Sequence, residues 1–99
     1  MTKIKKLINH IDEELKGAKD YAEKYVECKT KGDTTWASKY KEMANDELKH
    51  AINLHDKAVQ EIEEIKKVYT APVEMEEKWE REHKEYVENV AWIRQMLMM

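Results

Sequence analysis

Glu47 and His50 lie three residues apart in Asn45-Asp46-Glu47-Leu48-Lys49-His50-Ala51, so a helix through this stretch sets a carboxylate and an imidazole one turn apart on one face. At about 100° per residue, Glu47 is expected in the middle of an apolar arc of Tyr40, Met43, Ala44, Ala51, Leu54 and Ala58, with His50 at one edge and His55 at the other. A carboxylate facing a core must be protonated, hydrogen-bonded or bound to a cation, because an unpartnered anion is costly to bury. Two arrangements meet that requirement: a hydrogen-bonded Glu47 with His50, Tyr21 or a lysine as its partner, or a metal site.

Other polar residues extend the pattern. Glu80-Arg81-Glu82-His83 repeats the Glu-x-x-His spacing, with His83 expected near the centre of its own stripe between Trp79 and Tyr86. Glu14 falls in the row Leu7, Ile11, Glu14, Ala18, Tyr21 and Tyr25, and His10 lies one turn earlier on the same edge. Counted from the break near Gly32 at about 1.5 Å of rise per residue, Glu14 comes level with His50 and His10 with His55. An antiparallel hairpin then brings Glu14, Glu47 and His50 within reach of one cation, and small Ala44 and Ala51 leave room around it. Counted from Pro72, His83 comes level with Val59, nearer His55 than Glu47. The two Glu-x-x-His motifs therefore form separate sites or are completed across an interface.

The candidate metal ligands are Glu14, Glu47, His50, His55, Glu80 and His83. Carboxylate and imidazole donors suit iron, manganese or zinc, and the absence of a cysteine cluster argues against a thiolate site. The plainer alternatives are packing or surface roles for His10 and His55, a core histidine bonded to a carbonyl or glutamate for His83, and a solvated charge for Glu80. No catalytic residue is assigned: Ser38 is the only serine and has no nucleophile context, and no phosphate-cradling glycine loop exists.

The elements that must position these side chains are helices. The chain has 99 residues, 39% of them charged and 41% apolar, with two glycines and one proline, which suits one domain of long amphipathic helices and one modest core. The spacing predicts an all-α fold with helices over about 2–29, 34–68 and 73–98. In the first, Ile4, Leu7, Ile8, Ile11, Leu15, Ala18, Ala22, Tyr25 and Val26 recur at threes and fours, and Gly17 sits on the polar side. Thr30-Lys31-Gly32-Asp33 ends it and supplies a cap for the second, so a short connection makes the two an antiparallel hairpin.

The second helix carries two arcs, Trp36, Tyr40, Met43, Ala44, Ala51, Leu54, Ala58 and Ile65 in one, Leu48, Ile52 and Val59 in the other, and so needs two neighbours. Pro72 stops it, pushing Ala71 out of the helical region. The third helix presents Val73, Met75, Trp79, Tyr86, Val87, Val90, Ile93 and Leu97, while Trp92 and Met96 point elsewhere. That Trp92/Met96 region is expected to bind a protein partner or to form the seam of a homodimer, the dimer being preferred because three helices leave one side of the bundle uncovered.

A formal net charge of −3 supplies no basic field, so nucleic acid is not an expected partner. No segment reads as a bilayer span, and the N-terminal residues lack the apolar run of a signal peptide. The single cysteine, Cys28, has no intramolecular partner and no activating context, which fits a reducing intracellular compartment.

On Glu14 and Glu47-Leu48-Lys49-His50-Ala51, over about the first two thirds of the chain, the sequence resembles half of a di-iron carboxylate bundle such as ferritins, rubrerythrins and encapsulated ferritins. The resemblance implies a ferritin-like bundle, with iron bound or oxidised once a second chain supplies the other half. Over more of its length, through Ile11-Asp12-Glu13-Glu14-Leu15, Asp20-Tyr21-Ala22, Asp46-Glu47-Leu48-Lys49-His50, Leu54-His55, Glu82-His83-Lys84 and the Met-rich end, the chain is similar to small phage and prophage proteins without assigned activity. That similarity implies a phage-related origin; together with the Trp92/Met96 region it leads to the expectation of a non-enzymatic helper working through its helical surface, with the cytoplasm of a bacterial host as the expected compartment. The expectation is a small helical-bundle protein of this kind with a divalent metal site, the alternative being an oligomeric iron-oxidising protein.

Overall fold

The structure is a computed structural model that describes residues 2–70 and 72–99. It is all-α: α1 spans Thr2–Thr30, α2 Thr34–Val68 and α3 Val73–Leu97, with no strand among the described residues. They form an up-down-up bundle with extents of 55 × 17 × 17 Å, matched by α2 alone, whose 35 residues measure about 52 Å.

The buried positions explain the bundle. In α1 they are Ile4, Ile8, Ile11, Leu15, Ala18, Ala22 and Tyr25, alternating steps of four and three. In α2 they are Ala37, Ala44, Leu48, Ala51, His55, Ala58 and Ile62. Such spacing keeps one seam facing a neighbouring helix at a shallow crossing angle. Ala18, Ala22, Ala44, Ala51 and Ala58 are fully buried, so the backbones of α1 and α2 approach closely along their length. The seam between α2 and α3 is different. Its backbones stand further apart, and the rings of His55, Trp79, His83 and Tyr86 span the gap.

The breaks follow from local chemistry. Gly32 adopts φ 81°, which glycine occupies without a Cβ clash, and its N–H donates to the Lys29 carbonyl at 3.1 Å. Asp33 then caps α2 by accepting from the Trp36 N–H at 3.2 Å. Pro72 is the N-cap of α3, its carbonyl accepting from the N–H groups of Met75 and Glu76. The expected effect of Pro72 on Ala71 lies outside the described residues.

Several expected faces are rotated. On α2 the buried line runs between the two expected arcs, so Ala37 is buried while Trp36 is exposed, and His55 rather than Glu47 lies on the central line. The cause is that α2 packs against α1 on one side and α3 on the other, which centres its buried face between them. On α3, Val73 and Val87 are exposed. Met96 is also corrected: it is 4% exposed, three residues beyond Ile93 on the same stripe, whereas Trp92 is 45% exposed. The end of α3 still packs there, and the Lys29 ammonium donates to the Met99 carbonyl. The apolar surface expected from Trp92 and Met96 together therefore reduces to Trp92. No helix is long and apolar enough to cross a membrane among the described residues.

Candidate metal centre

Glu14 on α1 and Glu47 and His50 on α2 converge on one point of the close seam. One donor atom from each lies within 4.8 Å of the other two, the one such group among the described residues. Two donors bonded to a transition metal at about 2.1 Å are at most about 4.2 Å apart, so the three side chains stand close to ligating separation. The Glu14 side chain is only 18% exposed. Its Oε1 meets His10 Nε2 at 3.2 Å, one turn along α1. Its buried Oε2 accepts no hydrogen bond among the described residues; His50 Nδ1 faces it at 3.5 Å, an ion-pair separation.

Two carboxylates side by side cannot both stay charged without a cation or a proton. A hydrogen bond to Glu47 holds the Glu14 carboxyl below the usual carboxylate range, against burial, with His50 and His10 assisting. The same contact, reinforced by burial, pushes Glu47 above that range. The contact thus biases a shared proton towards Glu47 and the charge towards Glu14.

Gly17 takes part in this geometry, contrary to its expected place on the polar side. A Cβ there would lie 3.2 Å from Glu47 Oε2, tighter than ordinary contact, so the missing side chain makes room for the carboxylate. The donor set and the unbonded buried oxygen fit a divalent cation. Two carboxylates and one imidazole would hold it, with the remaining positions open to water.

The other candidates lie elsewhere. His55 is buried against α3, its Nε2 3.0 Å from His83 Nδ1, and its ring stacks on Tyr86 at 3.9 Å. His83 itself flanks its stripe and is exposed, because the inward row of α3 runs Trp79, Glu82, Tyr86. Neither histidine belongs to the three-donor group. Glu80 is exposed; the inward glutamate of this stretch is Glu82, paired with Asp12 of α1. Burial pushes both of these carboxyls above their usual range. The signal for Glu82 in the chain is its place three residues after Trp79 and four before Tyr86, the spacing of the buried stripe.

No family model, no curated protein and no solved structure matches the chain.

Proposed function

We propose that the protein is a helical-bundle binder of a divalent metal ion such as iron, manganese or zinc, held by Glu14, Glu47 and His50 across the α1–α2 hairpin. The observation that carries this reading is the carboxylate pair with a buried, unbonded Glu14 oxygen beside the space left by Gly17. An incoming ion displaces the shared proton and takes over its role of neutralising the pair. Metal-analysis mass spectrometry after equilibrium dialysis against Mn²⁺, Fe²⁺ or Zn²⁺ tests this. One ion per chain is expected for the natural sequence and strongly reduced loading for Glu47→Gln; equal loading of the two, or none, sinks the reading. Oxygen uptake on adding ferrous iron then separates an oxidase from a static site.

A second reading is self-association through the wider α2–α3 seam. It is favoured by a cleft of about 340 Å³ there, lined by Ile52, Tyr86, Val87, Val90, Ala91 and Arg94, whose exposed Val87 suits an apolar side chain of a second copy. Sedimentation should give a dimer that Val87→Glu dissociates; a monomer at all concentrations discards this reading.

A further inference from the structure

The interior of the α2–α3 seam holds one polar contact that the metal centre does not use. His55 is the only buried polar residue among the described residues, and it sits where the bundle would otherwise place an aliphatic side chain. Its ring lies nearly parallel to Tyr86, at 6° and 3.9 Å, with Trp79 at 5.4 Å. Its Nε2 is 3.0 Å from His83 Nδ1. The backbone of α3 lies close to α1 and not to α2, so α1 supports α3 along one side and the rings span the gap on the α2 side. We propose that the His55–His83 pair is an acid-released latch that holds α3 against α2.

The chemistry follows from one bond. Two neutral imidazoles share it, one ring donating N–H and the other accepting. A first proton, on either ring, leaves that bond intact with the cation as donor. A second places N–H against N–H at the same 3.0 Å, and like charges in a poorly solvated seam repel. The groups facing His55 do not offset this. From α1 it meets Ile8 and Ile11; from α3 it meets Trp79, Tyr86 and Glu82, around a cavity of about 10 Å³ with room for at most one water. Glu82 is engaged with Asp12, beside Lys78 and Glu85, and Asp56 next to His55 on α2 gives the only carboxylate that raises its proton affinity. Burial first, and His83 second, hold His55 below the usual histidine range, although the rings of Tyr86 and Trp79 favour a cation. The released state therefore binds the proton better. The contribution of this contact to holding α3 against α2 is complete above the ordinary imidazole value of about 6.5 and is lost as pH falls below it and through the depressed value of His55.

Amide hydrogen exchange of residues 73–97, referenced to the intrinsic rate at each pH and recorded with chelator present, tests the latch in the whole chain. On going from about pH 7.5 to about pH 5, protection in α3 should fall about tenfold or more, ahead of α1 and α2. His83→Gln keeps a neutral hydrogen-bonding side chain and should limit the fall to about threefold. Unchanged protection in the natural sequence overturns the latch, as does an equal fall in the variant. Should the variant not fold, the ring resonances of the natural sequence decide: linked titration of His55 and His83, with the second proton entering below the ordinary histidine range, supports the latch. Independent titration of the two rings overturns it.

Discussion

Gly17 on α1 and Glu47 on α2 are matched in shape: where any other residue would carry a Cβ, 3.2 Å from Glu47 Oε2, the glycine leaves the space in which that carboxylate lies beside Glu14. Glycine in mid-helix costs about 1 kcal/mol relative to alanine. Its placement opposite an acid pair links a local weakness of α1 to the geometry of the candidate centre.

Gly17→Ala should therefore separate stability from binding. The helix gains up to about 1 kcal/mol, and the flexible end of Glu47 yields by a few tenths of an ångström. Urea unfolding should show an unchanged or raised midpoint while metal affinity falls several-fold. A variant destabilised by more than about 1 kcal/mol would show that Glu47 cannot move.

Glu47→Gln should stabilise the metal-free protein at neutral pH. Glu47 binds its proton more tightly folded than unfolded, so its contribution is fully present below the unfolded carboxyl range and is lost as pH rises through its raised folded value. Glu14 behaves oppositely: its contribution is present above the unfolded value and is lost on acidification. A neutral amide donates to Glu14 at every pH, and a gain on the order of 1 kcal/mol is expected. Thermal melts from pH 4 to pH 8 check it, the difference between the two proteins growing with pH.

Ala51→Leu tests whether close packing positions the donors. Ala51 is fully buried in the α1–α2 seam next to His50, and the extra carbons should cost about 1–3 kcal/mol by prising the helices apart. Metal loading should drop with it. Preserved loading in a folded variant would mean that the donors do not depend on the seam.

Met96→Ala and Trp92→Ala should differ sharply in stability. Met96 is buried with Ile93 and Leu97, and its truncation should cost about 2–4 kcal/mol. Trp92 is half exposed, and its loss should cost less than about 1 kcal/mol in the monomer. Equal losses in chemical denaturation would contradict the observed rotation of α3.

How much was legible in the chain itself depended on which physical rule applied. Helix ends were readable because Gly32, Asp33 and Pro72 act through their own backbones and nearest neighbours. The level of Glu14 against His50 was readable because rise per residue is constant and the connection is short. The rotation of each helix about its axis was not. Periodicity orders side chains around a helix, but the buried direction is set by where its neighbours stand. That is why Ala37 replaces Trp36 in the core, Glu82 rather than Glu80 turns inward, and Met96 is covered. The sequence by itself determined three helices, their breaks and the levels of the polar residues. Only the tertiary structure decided which of those residues share a seam, because a seam belongs to two helices at once: Gly17 acquires its meaning from Glu47, and His55 from His83.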